Sequence, residues 1–154
     1  QPSYNGPPGL GNEGGFSPPE GNNGGPGSTG GPPTAQRSGG GGGGASQAGF
    51  AGASSNAGNG GAGSPNSISG SAITYSNGAD GKVQGGPAGA PATANRGDGS
   101  EAGGAGTPTP SQNAGSGIVI IRRLTASSST TSGTVTTDGD DTIHTFTGDG
   151  IYKG

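Results

Sequence analysis

The residues of this 154-residue chain that could take part in catalysis are few. It has one histidine, His144, and no cysteine, and no two carboxylates stand together among apolar residues. His144 lies inside an alternating run typical of a strand, which predicts a structural cross-strand residue. Nucleophilic and acid–base catalysis need a nucleophile or acid held beside a second titratable group. The sequence therefore predicts no catalytic residues, and a protein that is not an enzyme.

Other short motifs carry little weight as binding sites. The run "DGDD", Asp138 to Asp141, offers carboxylate oxygens but lacks the regular spacing and final Glu of a calcium loop, so a hairpin turn is predicted. The six glycines 39–44 are followed by neither Lys-Ser/Thr nor a helix, which excludes a phosphate loop. The "RGD" of Arg96–Asp98 matches integrin ligands over only three residues. Arg122 and Arg123 are predicted at a solvated strand end, and no metal or cofactor is expected.

Composition restricts how such a chain can fold. Glycine contributes 41 residues and proline 13, whereas Leu, Ile, Val and Phe together contribute only 15. An apolar core of its own is therefore out of reach, because ordering the backbone costs far more than these side chains return. We expect neighbouring chains, and copies of this chain first, to supply much of the order.

Charge and hydropathy exclude two further classes of partner. The six Lys and Arg are scattered and the net charge is −3, which is no footprint for nucleic acid. No apolar run is long enough to span a bilayer, so membrane insertion is not expected.

The chain divides into three zones. Residues 1–38 hold eight of the thirteen prolines and predict an extended, polyproline II-like arm. Residues 39–117 form a glycine-rich body. Within it, Ile68, Gly70, Ile73 and Tyr75 suggest a short hairpin near 67–76, although a loop with stray apolar residues is an equal alternative. Residues 118–154 predict a β-strand followed by a small meander.

The third zone holds the apolar residues on which the fold is expected to depend. The run "IVIIRRL" reads as a strand covered on both faces and as the most buried segment. Strands are predicted near 134–137 and 142–147, with turns at 138–139 and 148–150. Ile143 and Phe146 would then face opposite ways, which requires either two covered faces or a bulge. The predicted structural residues are Ile118, Val119, Ile120, Ile121, Leu124, Ile143 and Phe146.

Glycine supplies a physical alternative to an apolar core. Polyglycine II is a left-handed helix of three residues per turn without internal hydrogen bonds. Such helices can pack side by side, because no side chain separates them, and their N–H and C=O groups then bond between neighbours, aided by weak Cα–H···O contacts. The fold class predicted is thus a mostly irregular, polyglycine II-like body with a small antiparallel β region at its C-terminal end. No segment has helical periodicity, so essentially no α-helix is expected.

Three sequence stretches together resemble a known family. "GGAGSPNSISGSAITY" within the glycine-rich tract, "GSGIVIIRRL" at its close and "DTIHTFTGDGIY" after it are similar to the glycine-rich modules of bacteriophage tail fibres and receptor-binding tips. The resemblance covers about Gly39 to Tyr152. It implies a polyglycine II body, display on a virion surface outside the cell, and contact with a receptor through loops at a tip. The proline-rich first zone, and an end just after the last motif, predict either a piece of a larger fibre or a chain completed by its neighbours.

Two other classes of function stay open. A self-associating filament or surface-layer protein would use the same body without binding a receptor. An ice-binding protein would present flat faces, but it should carry regular rows of Thr or small residues, whereas proline and charge interrupt the glycine tracts here. The expected partners are copies of the chain, other virion or filament proteins, and a host-surface receptor.

Overall fold

The computed structural model describes residues 7–29, 36–103, 112–125 and 130–153. Predictions that concern the first six residues, the prolines at 32 and 33, and most of the "GGAGTPTP" tract lie outside the described residues.

Across the described residues the chain contains no helix, which confirms the predicted fold class. Regular structure there is limited to short strands in small antiparallel sheets. The seven strands are β1 (Ser64–Asn66), β2 (Ile73–Tyr75), β3 (Val119–Leu124), β4 (Thr130–Thr131), β5 (Thr134–Asp138), β6 (Asp141–Phe146) and β7 (Tyr152–Lys153).

The glycine-rich body is a bundle of extended segments that belong to no regular sheet. Backbone hydrogen bonds join them side by side, and consecutive segments run in opposite directions. Segments that are two apart along the chain run parallel; for example, segments 38–45 and 56–63 are joined by the hydrogen bond from Gly61 to Gly42. The described segments are 7–11, 22–28, 38–45, 47–53, 56–63, 76–83, 89–93, 98–103 and 112–117.

The hydrogen bonds of segment 38–45 recur every third residue. The amides of Gly39, Gly42 and Ala45 donate to the carbonyls of Lys82, Ala79 and Ser76, at 2.8 to 3.0 Å. On another side, the carbonyls of Gly39 and Gly42 accept from the amides of Gly58 and Gly61, both at 2.9 Å. A period of three, with different neighbours served in rotation, is the pattern of polyglycine II.

Burial follows the same period. Ser38, Gly41 and Gly44 are buried, three residues apart, and so are Gly58 and Gly61 of a neighbouring segment. The interior of the body is therefore backbone. A Cβ at Gly41 would lie on the carbonyl of Asn59, so this position can hold only glycine without moving a neighbouring segment.

A hairpin interrupts the body, as the sequence predicts, but its first strand lies earlier than expected. β1 pairs with β2 through Ser64–Tyr75, Pro65–Thr74 and Asn66–Ile73. Ile68 falls in the connecting loop, and Gly70 turns that loop with a φ of 88°. The loop alternative is therefore wrong for this stretch.

The C-terminal region forms a three-stranded antiparallel sheet in the order β3–β6–β5. β5 and β6 join through Gly139, whose φ of 60° suits the first position of a tight hairpin turn. The register is continuous along both pairs of strands, which excludes a bulge within β6. Ile143 and His144 point to opposite faces and are 1% and 2% exposed, so both faces of β6 are covered.

The prediction that "IVIIRRL" is the most buried segment is wrong. β3 is an edge strand: Val119 is 59% and Leu124 66% exposed, while Ile120 and Ile121 are half-buried. The central position belongs to β6 instead, because the chain reverses after β5 and lays β6 between the two other strands. An apolar run shows affinity for a sheet, but it does not show which strand will occupy the middle.

A second, two-stranded ribbon is formed by β4 and β7. The ring of Tyr152 in β7 meets that of His144 edge-on, with centroids 5.1 Å apart. Tyr152 thus covers the His144 face of the sheet, and His144 has the structural cross-strand place that the sequence predicts.

The run of six glycines provides a matched pair of substitutions. Gly41→Ala should destabilise the fold by about 1–3 kcal/mol or more, because its Cβ meets fixed backbone. Gly39→Ala should be neutral or slightly stabilising, since its Cβ has only ordinary contact, 3.4 Å from the nitrogen of Lys82. Chemical denaturation of both variants checks this, and equal effects would contradict a backbone-packed interior.

Candidate functional site

The turns of the body gather at its two ends because the segments alternate in direction. One end carries the turn at Ser46, the β1–β2 loop and the turn at residues 94–97. Segment 112–117 runs toward the same end and leads directly into β3. A Cβ at Gly70 would lie 3.6 Å from Asp138, which places the hairpin loop beside the sheet. We call this the sheet end.

A polar network joins three segments where the body meets the sheet end. One carboxylate oxygen of Asp98 accepts from the backbone N–H of Asn77 at 2.9 Å and from its side-chain amide at 3.2 Å. The side-chain oxygen of Asn77 in turn accepts from the N–H of Gly63 at 3.0 Å. Asp98 is only 8% exposed. The "RGD" motif is therefore structural here, because its carboxylate faces inward.

An ion pair fastens the other side of the body. The Lys82 ammonium lies 2.7 Å from the Glu101 carboxylate, which also accepts from the N–H of Ala90 at 2.7 Å. These two bonds connect segments 76–83, 89–93 and 98–103. The hydrogen bond from Lys82, followed by that from Ala90, holds the pKa of Glu101 below its ordinary value.

A third charged group spans the sheet. The guanidinium of Arg122 in β3 donates from Nε to Asp141 at 2.7 Å and from Nη1 to Asp138 at 2.8 Å. It therefore reaches across β6 to β5. The hydrogen bond to Asp141, followed by that to Asp138, raises the pKa of Arg122. The "DGDD" run is the predicted hairpin turn, with two of its carboxylates bound by arginine.

One open groove runs along the body, with a volume of about 400 Å³. Its floor is backbone of Gly39, Gly40, Gly42 and Gly81, and its charged residues are Arg37, Asp80 and Lys82. Asp80 is engaged, because its carboxylate accepts from the N–H of Gly60 at 2.7 Å. The groove offers hydrogen-bonding groups of the backbone and of these side chains.

Among the described residues, no three His, Cys, Asp or Glu side chains are placed to hold a metal ion. A search of the same residues finds no helix with the length and apolar character needed to cross a bilayer.

The structure brings together only part of the predicted structural set. Ile143 is buried, Phe146 is half-buried against Gly133 and Gly150, and Ile118 is half-buried before β3 begins. Val119 and Leu124 are exposed. Sequence reasoning missed the polar connections made by Asn77, Asp98, Lys82 and Glu101. The one feature of the sequence that could have indicated these connections is that polar residues interrupt the glycine tracts at these positions.

Comparison with protein-family models, with curated proteins and with solved structures gives no match to this chain.

The buried strand β6 provides a test of where the small apolar core lies. Ile143→Ala should lower the free energy of unfolding by about 2–5 kcal/mol, as expected of a fully buried aliphatic side chain. Val119→Ala in the neighbouring strand should change it by no more than about 0.5 kcal/mol, because the side chain is exposed. Denaturant unfolding measures both free energies. A larger loss for Val119→Ala than for Ile143→Ala would contradict the central position of β6 and indicate that the core lies at β3.

Proposed function

We propose that this protein is a structural component of a viral fibre or adhesin, of the kind found on bacteriophage tails, and that it presents loops for attachment to a host surface. The observation that supports this most is that the body and its turns have separate roles in the bundle. Backbone-to-backbone bonds hold the body together, whereas the turns contribute little to its interior.

Such a body suits display. Because the interior needs glycine backbone rather than matched side chains, the turns can change in sequence and length at small cost to the fold. Several turns also lie together at the sheet end, and the β1–β2 loop is one of them. This loop is mostly exposed, and apart from Ile68 its side chains are small: Ser67, Ser69, Ser71 and Ala72.

The sheet end has the character of a contact surface for polar partners. Serine hydroxyls can donate and accept hydrogen bonds, whereas the N–H of Gly70 already donates to the carbonyl of Ser67 at 3.0 Å. Ser69 already bonds within the loop, from its hydroxyl to the carbonyl of Ser71 at 3.2 Å, which limits the freedom of the loop before binding. A pre-ordered loop loses less entropy when it binds.

A second candidate function is a self-associating filament or surface-layer protein. The observation that favours it is that β3 and β5, the two outer strands of the sheet, each pair on one side only among the described strands. Open edges are sites where another chain can add a strand.

Binding of the fluorescently labelled chain to a panel of intact bacterial strains tests the leading proposal. One variant replaces Ile68, Ser69 and Ser71 by glycine at the sheet end, and a control variant replaces Ser54 and Gln84 by glycine at the opposite end. We expect at least one strain to bind the parent chain, the first variant to lose about 90% or more of that binding (a tenfold loss is about 1.4 kcal/mol), and the control to retain it.

Two results would count against attachment through the sheet end. One is the absence of binding to any strain above that of an unrelated labelled protein. The other is equal loss of binding in the two variants.

A further inference from the structure

β5 is an outer strand of the sheet, and no other described strand pairs with its far side. All five of its residues are exposed. Among the described residues its only strand partner is β6. In an edge strand, alternate residues direct their N–H and C=O groups away from the sheet, so β5 offers a row of backbone groups to a further strand.

Natural edge strands carry features that prevent such pairing, and β5 lacks them. Proline, lysine, inward-pointing charges and bulges are the usual protections. β5 reads "TVTTD", with four β-branched residues that favour strand structure, and its register with β6 has no bulge. Its one charge, Asp138, is bound by Arg122 at 2.8 Å. The opposite edge, β3, carries Arg122 and Arg123 and is better protected.

The sequence of β5 is also compatible with itself. When two antiparallel copies meet around Thr136, this residue faces Thr136 of the second copy, and Val135 faces Thr137. Thr134 then faces Asp138, so no two like charges stand opposite each other. Threonine pairs and threonine–carboxylate contacts across strands are favourable.

We propose that β5 pairs antiparallel with β5 of a second copy of this chain, about a two-fold axis at Thr136. The two three-stranded sheets then form one continuous six-stranded sheet. A shift of one residue would set N–H and C=O groups that point away from the sheet opposite residues whose N–H and C=O groups point back toward β6. A shift of two would leave only three facing pairs. The register centred on Thr136 is therefore the one that uses the whole strand. This interface is independent of the proposed attachment function.

Charge substitutions at the two-fold axis test the proposal. Thr136→Lys places two ammonium groups opposite each other, and Thr136→Glu places two carboxylates there; like charges directly opposite destabilise a strand pair. Sedimentation velocity over a concentration series should show the parent chain dimerising. Each variant alone should have a dimer dissociation constant raised by about tenfold or more, and an equimolar mixture of the two should recover the dimer.

Thr147→Lys is the matched control, because Thr147 is exposed just beyond β6 and away from the β5 edge. It should dimerise like the parent chain. Melting temperatures of the variants check that each one folds. A parent chain that stays monomeric throughout the series, a Thr136→Lys variant that dimerises normally, or a mixture that fails to recover would each overturn the interface.

Discussion

The fold depends on the absence of side chains at interior positions of the body. Gly41, Gly44, Gly58 and Gly61 are buried at intervals of three, and their neighbours approach so closely that a Cβ would meet a carbonyl group. Close approach is what allows the segments to bond directly, one backbone to the next. Each such bond contributes only about 1 kcal/mol net, but the bonds are numerous and they replace most of the apolar core of an ordinary domain.

Polar side chains then do the work that apolar contacts do elsewhere. The network of Asp98 with Asn77, the ion pair of Lys82 with Glu101, and the Arg122 bridge each connect three segments or strands. A backbone bundle leaves little apolar surface to position its turns, so specific hydrogen bonds fix them. This explains why Asn77, Asp98, Lys82 and Glu101 interrupt the glycine tracts, where a flexible linker would have no need of them.

Much of the architecture could be predicted from the sequence. The absence of helix, the glycine body, the hairpin around Gly70 and the turn at Gly139 follow from local rules, because glycine and β-branched residues act through their own backbone preferences. The order of strands in the sheet could not be predicted. The run "IVIIRRL" has the most apolar residues, but burial goes to β6 because it has a strand on either side. The partners of Asp98 and Glu101 were equally hidden, since they depend on which segments become neighbours.

Hydrogen exchange of the glycine amides, followed residue by residue by NMR in the intact chain, tests the backbone core most directly. Gly41, Gly42, Gly61 and Gly78 donate between segments at 2.8 to 2.9 Å, so their amides should exchange far more slowly than that of Gly148, which lies in an exposed turn. Exchange of all five amides at the rate of an unstructured chain would contradict a core made of backbone.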